Sequence, residues 1–279
     1  MIKLRRFLSI LIIIVLVWLA AGCASKPVIY KTTMRVSPSA NPPSDFLKED
    51  PAFSYVIPFK NDSFKGTVNI KNEAERRNAY RLLCFSDFRQ TKLVVDKETD
   101  LVPKLTLRSD EQRILPFSAK VGQGSHDFVL VAMEDVPVRD IESLNSGLND
   151  YVAGNRLYLD GSSPSDARIL EPLTTVPGSK VSRIVEVAAS GDNLNVTIDA
   201  AQNGTVKMAL IVLVDFKQSG TYLVDTNKRV VRISIPKPSD EGVLSILCIE
   251  EPLDKSLPGL TNAAILQSNR LVLKPAGSR

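Results

Sequence analysis

The side chains that could do chemistry are few. The chain has 279 residues and a single histidine, His126, inside Gly122-Gln123-Gly124-Ser125-His126-Asp127. Ser, His and Asp are the residue types of a nucleophilic hydrolase. A triad needs its side chains to converge from separate segments beside an oxyanion hole. Three consecutive residues in one turn point apart, so His126 is expected as an exposed turn histidine. Asp160-Gly161-Ser162-Ser163-Pro164-Ser165-Asp166 offers oxygens for Ca²⁺. It lacks the regular ligand spacing and closing Glu of a dedicated calcium loop and reads as a linker. One His and two scattered thiols build no zinc site. Neither a phosphate loop nor a dinucleotide fingerprint occurs. No catalytic residue, metal ligand or cofactor is assigned.

The most informative local signal is a tetrapeptide that occurs twice, Asp87-Phe88-Arg89-Gln90 and Asp215-Phe216-Lys217-Gln218. Asp87, Arg89, Gln90, Asp215, Lys217 and Gln218 are the candidates for a binding site. A structural role is the favoured reading. Asp accepts backbone N–H bonds in turns, and Phe88 and Phe216 can close a core with a large ring.

The two copies lie 128 residues apart, and other matches share that shift. Ser54-Tyr55-Val56-Ile57 lies over Ser182-Arg183-Ile184-Val185, and Val68-Asn69-Ile70 over Val196-Thr197-Ile198. At a shift of 129, Val95-Asp96 lies over Val224-Asp225; at 116, Met133-Glu134-Asp135 meets Ile249-Glu250-Glu251; at 114, Asn155-Arg156-Leu157 meets Asn269-Arg270-Leu271. Matches that stay in order argue for duplication of one domain. The drop from 129 to 116 assigns 13 extra residues to the first copy, near Lys97 to Arg113. Leu105-Thr106-Leu107 there is a candidate added edge strand.

The elements that would carry these residues are strands. Phe64–Asn72, Phe128–Met133, Leu194–Asp199, Val230–Ile235 and Val243–Ile249 are short runs rich in β-branched residues. Gly, Asn, Asp and Pro punctuate them. Asp140–Tyr151 and Leu260–Gln267 are the only candidate short helices. The expected fold is all-β, two antiparallel sandwiches in tandem. The pattern resembles immunoglobulin-like modules of bacterial surface proteins in architecture only. It lacks the inter-sheet Cys pair and the buried Trp of antibody domains, since the one Trp is Trp18. The expected boundaries are 1–22 signal, 23–50 lipidated Cys and tether, 51–160 first sandwich, 161–178 linker and 179–279 second sandwich. Cys84 aligns with Val212 and Cys248 with Ala132. The two thiols thus fall on different strands of different domains and are expected to be buried and free.

Lys3, Arg5 and Arg6 precede a nearly unbroken apolar run from Phe7 to Trp18, and Leu19-Ala20-Ala21-Gly22-Cys23 follows. A basic start, a short apolar stretch and small residues form the order of a secretory signal. The stretch is shorter than the roughly 20 residues of a membrane span. Small residues before a Cys resemble the lipobox of bacterial lipoproteins. The resemblance implies cleavage before Cys23 and a diacylglycerol on its thiol. Ala24, in place of an Asp, implies the outer membrane in a two-membrane bacterium, or the outer face of a single membrane. Residues 24 to about 50, with Ser37-Pro38-Ser39-Ala40-Asn41-Pro42-Pro43-Ser44, read as an extended tether. Val28–Val36 is an alternative strand of the first domain.

Charge excludes one class of partner. The formal charge is +4, of which the first 22 residues supply +3, leaving +4 − 3 = +1. Nucleic-acid binding needs clustered Lys and Arg, and none is expected. The expected function is therefore that of a non-catalytic, lipid-anchored envelope protein. Its two modules would meet an envelope protein or, less favoured at 6% aromatics, cell-wall glycan. The alternatives are a hydrolase with its site in an interdomain cleft and a passive spacer.

Overall fold

The computed structural model describes residues 32–38, 48–50, 53–58, 62–141, 152–161, 174–175, 179–180, 186–199, 206–226, 230–250 and 265–274. The signal, Cys23 and most of the linker and calcium-like loop lie outside these residues.

The first sandwich contains, in chain order, β1 (Thr32–Pro38), β2 (Lys48–Asp50), β3 (Phe53–Pro58), β4 (Ser63–Asn72), β5 (Asn78–Ser86), β6 (Arg89–Thr91), β7 (Leu93–Val95), β8 (Glu98–Asp100), β9 (Lys104–Leu107), β10 (Gln112–Lys120), β11 (His126–Glu134) and β12 (Ala153–Asp160). One sheet runs β1-β4-β10-β7-β8. The other runs β2-β3-β12-β11-β5-β6, with β9 also on β5. β4 shows why. Its side chains alternate, with Phe64, Val68 and Ile70 inward and Lys65, Asn69 and Lys71 outward, as a half-buried strand requires. The inward set meets Leu82, Cys84, Phe128, Leu130 and Leu157 of the opposite sheet. Phe64 packs edge-on against Phe117 and Phe128, with ring centres 5.7 and 5.0 Å apart.

The second sandwich contains β13 (Thr174–Thr175), β14 (Ser179–Lys180), β15 (Glu186–Ser190), β16 (Asn193–Asp199), β17 (Val206–Val214), β18 (Lys217–Thr226), β19 (Val230–Pro236), β20 (Gly242–Glu250), β21 (Ile265–Gln267) and β22 (Leu271–Leu273). Its sheets run β13-β18-β17-β20-β21, with β22 also on β20, and β14-β19-β16-β15. Its own core joins Val196, Ile198 and Ile233 to Leu210, Val212, Leu244 and Cys248. Pairing is antiparallel apart from β3 on β12 and β13 on β18. In the first sandwich, β4-β10-β7 facing β12-β11-β5 is the immunoglobulin-like order. The chain is thus all-β, with two immunoglobulin-like sandwiches in tandem.

The register repeats. Ser86 faces Phe128 as Val214 faces Leu244, and Phe128 faces Leu157 as Leu244 faces Leu271. Those pairs reproduce the sequence shifts of 128, 116 and 114. Cys84 and Cys248 are buried, each in the core of its own sandwich.

Four expectations are corrected. The tether does not extend to residue 50. β1 pairs with β4 along seven residues and buries Val36, and Val36 faces Val68 as Val187 faces Val196. The sandwich therefore includes the chain from Thr32. Ile265–Gln267 is strand, not helix, while the other expected helix, Asp140–Tyr151, lies outside the described residues apart from Asp140 and Ile141. Val95 is not the counterpart of Val224. Tyr80 faces Leu105 where Met208 faces Val224. In the second sandwich β18 is one ten-residue strand. In the first, β6 stops after three residues, β7 and β8 cross to the other sheet, and β9 returns to β5. The inserted residues thus replace half of one strand rather than adding an edge. Buried Asn72 secures them, donating to the carbonyls of Arg76 (2.7 Å) and Arg108 (2.9 Å) and accepting from the Tyr80 hydroxyl (2.8 Å).

Candidate functional site

The repeated tetrapeptide forms the hairpin turns β5–β6 and β17–β18. Both central residues have positive φ in each turn: Asp87 51° and Phe88 64°, Asp215 47° and Phe216 66°. That is the two-residue turn matching strand twist, normally built from Asn and Gly. Asp tolerates the left-handed region. A bulky Phe there is strained, so something beyond turn chemistry must offset the cost.

Contact between the two sandwiches supplies it. β5 and β11 are buried on both faces, and so are Met208–Val214 of β17 and Leu244–Ile249 of β20. One face of each strand lines its own core. The other faces form a joint apolar layer, in which Leu83, Phe85 and Val131 meet Ala209, Ile211, Leu213 and Ile249. Phe88 lies fully buried in that layer, and Phe216 packs against it. The phenylalanines thus serve the layer between the sandwiches, not the sandwich cores as expected.

The two glutamines clamp the layer reciprocally. Gln218 Oε1 accepts from the Gln90 amide (2.5 Å), and Gln90 Oε1 accepts from the Gln218 amide (2.7 Å). Gln90 Nε2 donates to the Phe216 carbonyl (2.8 Å), and Gln218 Nε2 to the Phe88 carbonyl (2.7 Å). The side-chain amides of Gln90 and Gln218 are therefore engaged within the molecule. Each Asp ties its turn to the next strand. Asp87 Oδ1 accepts from the Asp127 amide (3.0 Å), and Asp215 Oδ1 from the Val243 amide (2.8 Å). Gly242, at φ 139°, leaves no room for a Cβ beside the Asp215 carboxylate. Arg89 and Lys217 are exposed.

His126 is not the exposed residue expected; its side chain is 12% accessible. Nδ1 lies 2.7 Å from Asp87 Oδ2, and Nε2 lies 3.1 Å from the Gln123 carbonyl oxygen. Its neighbours diverge, as the sequence implies. Ser125 Oγ accepts from the Gly161 amide (3.0 Å), and buried Asp127 turns inward to Arg156 (2.5 Å). The interdomain cleft imagined for a hydrolase is occupied by the apolar layer. Among the described residues no group of three His, Cys, Asp or Glu is placed to hold a metal ion.

The two copies diverge at one end of the layer. Arg270 is the counterpart of Arg156, but Val243 stands where Asp127 stands in the first copy. Buried Arg270 lies over the Phe216 ring at 5.6 Å, and Arg81 of the first sandwich over the same ring at 5.9 Å. Such contacts stabilise by about 0.5–2 kcal/mol. Nearby Glu134 is pushed up to about 7 by burial, against the pull of Arg270 and Arg76. Sequence reasoning missed the joint layer. Its signal was the near absence of polar residues at either parity in Met208–Val214 and Val243–Ile249, where Ser245 is the one exception, a pattern that marks strands buried on both faces.

No protein-family model and no curated protein sequence matches the chain. Among solved structures it is similar to the SafA pilin–SafB chaperone complex of Salmonella enterica, at 11% identity and TM-score 0.30, covering 90% of this chain and 99% of that one. It is also similar to the Escherichia coli chaperone DraB, at 10% identity and TM-score 0.28, covering 87% and 98%. Likeness at this level carries no argument about function, and the fold assignment rests on the sheets described above.

Proposed function

We propose that this chain is a non-catalytic, lipid-anchored envelope protein, with Cys23 as the lipidated residue. Its two sandwiches form one rigid unit that presents outer faces and edges to an envelope protein partner. The carrying observation is the apolar layer between the sandwiches, closed by the reciprocal Gln90–Gln218 clamp. Two modules joined in this way hold their outward surfaces at a fixed angle, which suits recognition of a partner of fixed shape. The layer also fills the place where an interdomain active site would lie. The same rigidity favours a second reading, a spacer holding two surfaces apart.

The test is crosslinking in cells followed by mass spectrometry, with Cys23→Ser beside the parent chain. A stoichiometric protein partner lost in Cys23→Ser is the expected result. Membrane attachment intact with no crosslinked protein would overturn the binding reading in favour of the spacer or of glycan, which purified cell wall would then separate. Attachment unchanged in Cys23→Ser would overturn the lipid anchor.

A further inference from the structure

The outer faces of the two sandwiches differ in charge. On β1, β4 and β10 the outward positions alternate with the core residues Val36, Val68, Ile70, Leu115 and Phe117. The charged residues at those outward positions are Arg35, Lys65, Lys71 and Lys120, and none is acidic. The nearest carboxylate to Lys71 is Glu73, at 3.9 Å and beyond the end of the strand. The register spreads the four cations over the face: Arg35 lies in the row of Asn69 and Ile114, Lys65 opposite Ser118, and Lys120 opposite Ser63. Near the centre stands Ile114, 65% exposed, the most exposed large apolar side chain among the described residues. The equivalent sheet of the second sandwich is mixed, with Glu186 and Arg232 in one row across Thr197.

We infer that the β1-β4-β10 face docks on the anionic headgroups of the membrane that anchors the chain. This rests on the lipid-anchor reading above. Thr32 lies only nine positions beyond Cys23 (32 − 23). A chain of that length spans at most about 30 Å, so a lipid on Cys23 keeps β1, an edge of this sheet, close to the bilayer surface. Cations spread over a flat face suit an array of phosphates. Each near-surface Lys or Arg strengthens attraction to an anionic leaflet by roughly fivefold, within a Debye length. Ile114 supplies an apolar contact at headgroup depth. Docking this face would leave the second sandwich directed to partners.

The test is lysine acetylation footprinting of the full chain. It would be purified from membranes and reconstituted into vesicles of phosphatidylcholine with or without phosphatidylglycerol. Lys65 and Lys120 should react several-fold more slowly in the anionic vesicles, high salt should abolish the difference, and Lys104 and Lys217, on other faces, should not change. A Lys65→Glu/Lys120→Glu variant should leave Lys71 equally reactive in both vesicles. Equal rates at Lys65 and Lys120 in both vesicles would overturn the inference. So would protection seen only in whole envelopes, which would identify an acidic protein as the occupant. The mass of the N-terminal peptide reads the lipid separately. A lipidated Cys23 without protection defeats only the docking; an unmodified Cys23 with protection defeats only the anchor.

Discussion

Replacing Glu134 with Gln should change how stability depends on pH. Glu134 ends β11, half-buried beside the second sandwich, and its Oε1 accepts from Asn78 Nδ2 (3.2 Å). Burial pushes its carboxyl up from the ordinary 4.5 to about 7, against the attraction of Arg270 and Arg76. The folded state therefore holds a proton that the unfolded state releases. The stability this contributes is complete below the unfolded value, near 4.5, and is lost as pH rises through about 7. A gap of 7 − 4.5, at 1.36 kcal/mol per pH unit, corresponds to roughly 3 kcal/mol. Gln resembles the protonated acid in shape and lack of charge. Glu134→Gln should match the parent near the acidic end of that window and exceed it by up to about 3 kcal/mol above the upper end. Urea unfolding at closely spaced pH values measures both curves, provided the transition stays two-state. Parallel curves across the window would refute the reasoning, because they would mean that Glu134 is ionised in the folded protein throughout.

Three further outcomes follow from the same contacts. Gln90→Ala and Gln218→Ala each remove the two side-chain hydrogen bonds that join one sandwich to the other and should destabilise by about 2–3 kcal/mol, whereas Lys217→Ala should change unfolding free energy by less than about 0.5 kcal/mol. Gly154→Ala would place a Cβ 2.9 Å from both Ile265 Cδ1 and Val131 Cγ1, costing about 1–3 kcal/mol in denaturant titration, with partial rescue by Ile265→Val. Cys84 and Cys248 are fully buried, and burial pushes the Cys84 thiol well above its ordinary range. A disulfide-exchange reagent should label neither thiol until the chain unfolds; rapid labelling of the native protein would contradict that burial.

Much of the architecture was legible because strand pairing preserves sequence spacing. A shift of one residue turns every side chain to the other face, so the offsets that align Asp87 with Asp215, or Asn155 with Asn269, reappear as register. The equivalence extends to single atoms. Asn155 Oδ1 accepts from the Val36 amide and Asn269 Oδ1 from the Val187 amide, both at 2.7 Å. The placement of Cys84 and Cys248 in separate cores follows from the same offsets. Less legible was where the inserted residues go. Val95 and Leu105 both lie in short β-prone runs, and only pairing with Tyr80 makes Leu105 the partner of β5. The candidate site was located but its role was open. A repeated Asp-Phe-x-Gln marks a special place, yet the partner of each glutamine lies 128 residues away.

The sequence by itself determined the strand class, the duplication, the offsets between most equivalent strands and the separation of the two thiols. All of these depend on local periodicity and spacing, which a linear chain carries explicitly. Tertiary structure alone decided that the two copies pack face to face, that the glutamines close the layer, that β1 joins the sandwich and that Glu134 lies near Arg270 and Arg76. These depend on which surfaces meet. Alternation along a strand states that a face is apolar but not what covers it, because hydrophobic attraction has no direction and its partner is chosen only when the whole chain folds.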